Sequence, residues 1–148
     1  MLIDIALDAV GTDKAPEAEI RGSILACRNL PVRVHLVGPK TELHDLLDEH
    51  LDNEDLPIVI HHASERIGME EKAAHAVRTK KDSSMRVGLK LVREGHAAGF
   101  VTAGNTGAAM ATPTAIPVRT SMSRLDNCAR FIFVLPDIFL VSITMSIG

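Results

Sequence analysis

Three short segments hold residue types that could do chemistry. The first, Ala103-Gly104-Asn105-Thr106-Gly107, follows an apolar run over 99–102 and leads into a helix-forming stretch. Glycines let the backbone approach a ligand closely, and the first amides of a helix present N–H groups and the positive end of a dipole, a setting that suits an anion. Phosphate is the natural ligand, with Gly104, Asn105, Thr106 and Gly107 as its candidate contacts; a simple glycine turn is the plain alternative. The spacing is neither GxGxxG nor GxxxxGK[ST], so it does not indicate a dinucleotide or ATP. The second segment, Arg78-Thr79-Lys80-Lys81-Asp82-Ser83-Ser84-Met85, gathers cations and hydroxyls at a helix start, the equipment for binding and polarising an anion. Solvated basic loops read the same way. The third, Asp8-Ala9-Val10-Gly11-Thr12-Asp13, lies at the carboxyl end of the first apolar run, where open α/β sheets place ligands. Its two carboxylates serve helix capping and turn bonding as well as they would serve a metal, and no metal is expected.

The other reactive residue types offer less. His61 and His62 are adjacent in a candidate strand, point to opposite faces and cannot easily share one ion. His35, His44, His50, His75 and His96 show no ligand spacing, so surface or packing roles are expected for all seven histidines. Cys27 and Cys128 stand far apart and outside any CxxC pattern, which points to reduced thiols. No GxSxG elbow is present, so no covalent enzyme intermediate is expected.

These segments need elements to position them. The chain has 148 residues, enough for one domain that buries roughly 70% of its unfolded surface. Apolar residues are 46% and charged residues 24%, with mean hydropathy +0.14, as in a globular protein. Sixteen basic against nineteen acidic side chains, with 3% aromatics and no Trp or Tyr, argue against a nucleic-acid binder. The start, with Asp4 and Asp8 where a signal peptide needs an apolar run, argues against export by that route, and the unpaired cysteines make a cytoplasmic protein the expectation. Candidate strands at 3–7, 32–37, 57–60 and 99–102 alternate with amphipathic stretches, the pattern of βα units that build a parallel sheet. Pro16 fits the first position of a helix reaching about Arg28, and a second helix carries Leu43, Leu46, Leu47 and Leu51 beneath a solvated acidic face. Asp82, Ser83 or Ser84 can cap a helix whose Arg86, Lys90 and Arg93 fall at i, i+4 and i+7, a basic stripe that is either solvated or docks an anionic partner. Pro113 and Pro117 interrupt the helix starting at 107–111. Residues 131–147 are almost wholly apolar; Pro136-Asp137 near the middle argues against a membrane span and leaves a buried strand pair or a poorly packed tail.

Taken in order, these segments resemble the bacterial phosphate acyltransferase family, the phosphate:acyl-carrier-protein acyltransferases of phospholipid synthesis. The resemblance runs through residues 5–18, His62-Ala63-Ser64-Glu65, Ile67-Gly68-Met69-Glu70-Glu71-Lys72, Lys80-Lys81-Asp82-Ser83-Ser84-Met85 and residues 102–111. Thr12 stands where the family usually has glycine, and Ala73 where proline is common. The resemblance implies a Rossmann-like α/β/α fold with a mainly parallel sheet, of the isocitrate/isopropylmalate dehydrogenase-like group. The implied reaction transfers a fatty acyl group from acyl carrier protein to inorganic phosphate and needs no cofactor. On that basis Lys80, Lys81, Ser83, Ser84 and Asn105 are the candidate catalytic residues, with Asp8, Gly11 and Asp13 lining the pocket. Arg86, Lys90 and Arg93 are then the candidate dock for the acidic carrier protein. The resemblance further implies a homodimer, delivery of product to glycerol-3-phosphate acyltransferase at the membrane, and peripheral association with the inner face of the cell membrane. It covers an amino-terminal α/β part, 1–112, followed by an apolar tail, 113–148, without family pattern; family members are more than twice as long, so a truncated chain with a frame-shifted tail is expected. The other reading is an inactive remnant that binds phosphate or acyl carrier protein.

Overall fold

The structure, a computed structural model, describes residues 1–51, 54–104, 108, 128–135 and 139–146. Strand β1 (Ile3–Asp8), helix α1 (Glu17–Asn29), strand β2 (Val32–Gly38), helix α2 (Lys40–His50) and strand β3 (Ile58–His62) build the first half. Helices α3 (Ala73–Thr79) and α4 (Ser84–Arg93) precede strand β4 (Gly99–Thr102), and β5 (Cys128–Leu135) and β6 (Phe139–Ser146) follow. The strands lie side by side in the order β3-β2-β1-β4-β5-β6. All neighbours are parallel except β5 and β6, which form an antiparallel pair.

The side-chain alternation of β2 shows how the layers are built. Val34 and Leu36 face one side, where Ile20 and Ile24 of α1 and Leu43 and Leu47 of α2 complete an aliphatic core. Val37 faces the other side and joins Ala76 and Val77 of α3 and Met85, Leu89 and Leu91 of α4 in a second core. Residues 34–38 are all buried, as expected of a parallel strand covered on both faces. Helix α4 lies close because Gly88 meets the Phe100 ring of β4: a Cβ built there would sit 2.2 Å from Phe100 Cε2.

The α/β architecture is as the βα alternation predicts, with small shifts at element ends. Pro16 is the cap residue of α1, and the first helical residue is Glu17. The sequence pattern did not single out α3, whose seven residues are too few to display a helical period. The apolar stretch near the carboxyl end forms the strand pair β5 and β6, docked through β5 onto β4 with Val101 opposite Ile132. Among the described residues, no helix is long and apolar enough to cross a membrane.

Candidate anion site at the switch point of the sheet

The chain steps outward from β1 to β2 to β3 and then returns to place β4 on the other flank of β1. Strand order therefore reverses between β1 and β4, the switch point beside which such sheets bind ligands outside the carboxyl ends of their strands. Asp8 ends β1 and Thr102 ends β4, and each is 2% exposed.

A continuous hydrogen-bond network joins them. The Thr102 hydroxyl donates to Asp8 Oδ2 at 2.9 Å and accepts the Gly104 amide at 3.1 Å, while the Val10 amide donates to Asp8 Oδ1 at 3.2 Å. Ser84, at the start of α4, adds a further hydroxyl to the Asp8 carboxyl. Burial pushes that carboxyl above the ordinary aspartate range, opposed by the bonds from Ser84, Thr102 and Val10 and by the charge of Arg66. Glycine is required where the two loops touch. A Cβ on Gly11 would lie 2.6 Å from Asp8 Oδ2 and 3.1 Å from the Gly104 nitrogen, and one on Gly104 would lie 3.0 Å from the Gly11 carbonyl oxygen. The network thus fixes the first residue of the glycine loop against the end of β1.

The wall of the site is the start of α4, clasped to the segment after β3. Ser84 N–H donates to the Glu65 carbonyl at 3.1 Å, Glu65 N–H to the Asp82 carbonyl at 3.1 Å, and Asp82 N–H to Glu65 Oε2 at 2.8 Å. Ser64 donates its amide and its hydroxyl to Asp82 Oδ2, at 2.9 and 2.6 Å. The Ser64 hydroxyl is the first reason that the Asp82 carboxyl sits below its usual range. Ser83 caps α4 by accepting the Arg86 amide at 3.3 Å. Arg66 donates to the Thr12 carbonyl at 2.6 Å, tying the same segment to the first loop.

The candidate residues therefore separate. Asp8, Gly11, Ser84 and Gly104 converge at the crevice, and Ser83 is buried as the cap beside them. Lys80 is held elsewhere: its ammonium donates to Glu71 Oε1 and to the Arg66 carbonyl, both at 2.5 Å, and the Glu71 carboxyl is held below its ordinary range first by that bond. Lys81 and Asp13 are exposed. On α4, Arg86 is half-buried and donates to the Val77 carbonyl at 3.4 Å, Lys90 faces Glu94 at 3.8 Å and Arg93 is half-buried. Asn105, Thr106 and Gly107 lie outside the described residues. Thr102, Ser64, Glu65 and Arg66 escaped the reading of the sequence as site residues; a hydroxyl closing an apolar strand two residues before a glycine was the available signal for Thr102. Among the described residues, no group of three or more His, Cys, Asp or Glu is arranged to hold a metal ion.

A parallel sheet covered by helices, with glycine loops meeting over a buried carboxyl at its switch point, defines the class: an α/β protein of the doubly wound kind. The chain belongs to the family described as fatty acid synthesis protein, whose model matches residues 3–122. Among curated relatives it is 73% identical over 112 residues to the phosphate acyltransferase of Acidobacterium capsulatum, covering 76% of this chain and 33% of that protein. It is 62% identical over 112 residues to that of Koribacter versatilis, covering 76% and 31%. With that of Geobacter sulfurreducens the identity is 47% over 107 residues, covering 72% and 31%. The chain thus spans about a third of the length of the curated relatives it matches.

Proposed function

We propose that residues 1–112 are the amino-terminal α/β part of an acyltransferase that moves a fatty acyl group from acyl carrier protein to inorganic phosphate, giving acyl phosphate for phospholipid synthesis. The observation that carries this reading is the anchoring of the glycine loop at Gly104 over Asp8 and Thr102, in a chain whose relatives are named phosphate acyltransferases. Phosphate is already an anionic nucleophile, so the protein's work is to hold it against the thioester carbonyl and to stabilise the charge that develops. A phosphate oxygen forms the bond to the carbonyl carbon, the carbon–sulfur bond breaks, and the carrier thiolate leaves and takes up a proton. No enzyme nucleophile is needed.

In this reading Gly104, Asn105, Thr106 and Gly107 position the phosphate, and Lys81 with Asn105 meets the developing oxyanion. Lys80, Ser83 and Ser84 act by holding the walls: Lys80 through Glu71, Ser83 as the α4 cap and Ser84 through Asp8. Arg86, Lys90 and Arg93 dock the acidic carrier protein. A homodimer peripheral to the inner membrane face would hand acyl phosphate to glycerol-3-phosphate acyltransferase.

The test follows free carrier thiol released from long-chain acyl-acyl carrier protein by the purified chain, with and without phosphate. Phosphate-dependent release is expected, falling about a hundredfold on Asn105→Ala, the scale of one lost oxyanion donor. A folded chain that releases no thiol would overturn the assignment of a sufficient site to these residues.

A further inference from the structure

Asp4, His35 and His61 form a second polar cluster, independent of the proposed acyl transfer. Strand alternation puts all three on the sheet face that α3 and α4 cover, since Asp4 is two residues from Ala6 and His35 two from Val37, and Val37 is paired with His61. His35 is 8% exposed, and each of its ring nitrogens has a partner: Nε2 lies 2.9 Å from Asp4 Oδ1 and Nδ1 lies 2.8 Å from His61 Nε2. The two rings are 5.0 Å apart between centroids. Three neighbouring strands are therefore joined side chain to side chain, and the last of them, β3, is an edge of the sheet.

Donor and acceptor chemistry fixes the protons in this chain. The Asp4 carboxyl is held below its usual range, first by the bond from His35 and also by Arg33, whose Nη1 lies 3.2 Å from the same oxygen. An ionised carboxylate only accepts, so His35 Nε2 donates to it. In neutral His35 the Nδ1 lone pair then accepts from His61 Nε2–H. One added proton leaves an N–H···N bond between the rings, with one imidazolium and one neutral ring. A second added proton leaves no lone pair between them and places two cations side by side.

We propose that the Asp4–His35–His61 relay is an acid-operated release for edge strand β3: it tolerates one added proton and opens on the second. The His35 and His96 rings both oppose a further positive charge on His61. Arg33 stands on β2 and His96 before β4, while Asp4 is already shared by Arg33 and His35. Helix α4 packs on β1, β2 and β4 and carries Lys90 and Arg93, and Glu94 after it faces Lys90 and His96. Burial, His35 and His96 all push His61 below the usual histidine range. Folded His61 thus binds fewer protons than it does in the unfolded chain between the ordinary histidine value and that lowered one, and stability is lost as pH falls through this window.

The experiment is an NMR titration of the imidazole nitrogens in the 148-residue chain from about pH 7.5 to 4.5, with amide exchange of β3 followed in parallel. The expected result is that the pair of rings takes up its two protons in separate, coupled steps. Exchange at β3, corrected for its intrinsic pH dependence, should accelerate about tenfold through the second step. Independent single-step curves for the two histidines would overturn the proposal, as would coupled steps with unchanged β3 exchange. His61→Gln places an amide donor where Nε2 met His35 and takes up no proton, so its β3 exchange should lose the acid step; persistence of that step would equally overturn it.

Discussion

Thr102 makes two hydrogen bonds with one hydroxyl, and their directions divide its possible replacements. Serine keeps both bonds; valine, of the same shape, leaves the Gly104 amide without this acceptor and the Asp8 carboxyl with one donor fewer, all in a buried setting. An unsatisfied buried polar group costs about 1–3 kcal/mol. Thr102→Val is therefore expected to lower the free energy of unfolding in urea by about that amount, with Thr102→Ser within about 1 kcal/mol of the parent. Equal losses in the two variants would show that the hydroxyl does not carry the network. Gly11 gives the steric counterpart. Alanine there meets Asp8 Oδ2 at 2.6 Å and backbone at 3.1 Å, so Gly11→Ala should cost about 1–3 kcal/mol in the same assay, where a surface glycine in this loop would cost little.

The elements owe their positions to contacts between residues far apart in sequence. Helix α4 is set by Gly88 against Phe100 and by the clasp at its amino end. Gly88→Ala gains about 1 kcal/mol in helix propensity, yet its Cβ would enter the Phe100 ring, and overpacking costs about 1–3 kcal/mol with more for a clash this deep. Packing wins, and a lower thermal midpoint is expected; a rise would mean that α4 shifts freely over the sheet. The clasp can be read by a double-mutant cycle on Ser64→Ala and Asp82→Ala. Both residues are exposed, so solvent reduces the coupling to about 1 kcal/mol or less. The Asp82 carboxyl is lowered in the folded state, so its contribution is complete above the unfolded value near 3.8 and fades as pH falls through the lowered folded value. The coupling should accordingly persist at neutral pH and vanish in strong acid; a coupling unchanged in acid would remove the carboxylate from the clasp.

On the scale of the whole molecule, the βα alternation of short apolar runs made four parallel strands and the two helical layers legible, because β2 and its neighbours are buried on both faces and the helices carry one apolar stripe each. The two glycine loops and Asp8 were legible for the same reason: strand ends in such a sheet are where turns of this composition belong. The positions of Thr102, Glu65 and Arg66 were not, since their roles depend on segments that meet only after the chain has crossed the sheet. Lys80 shows the limit most clearly. A lysine beside a second lysine at a helix start reads as an anion contact, while Glu71, nine residues earlier, holds its ammonium. The same layering separates charge: acidic α2 covers one face, and the basic residues of α4 cover the other. On the proposed function, the acidic carrier protein meets the α4 face, and reversing Arg93 there should weaken encounter without altering the chemistry. Arg93→Glu is expected to raise KM for the acyl carrier protein substrate up to about fivefold, the equivalent of about 1 kcal/mol for an exposed charge pair, with kcat unchanged. The difference from the parent should shrink as salt shortens the reach of surface charges from about 10 Å at 0.1 M toward 3 Å at 1 M. An unchanged KM at low salt would place the carrier protein elsewhere, while a fall in kcat alone would move Arg93 from docking into the shaping of the site itself.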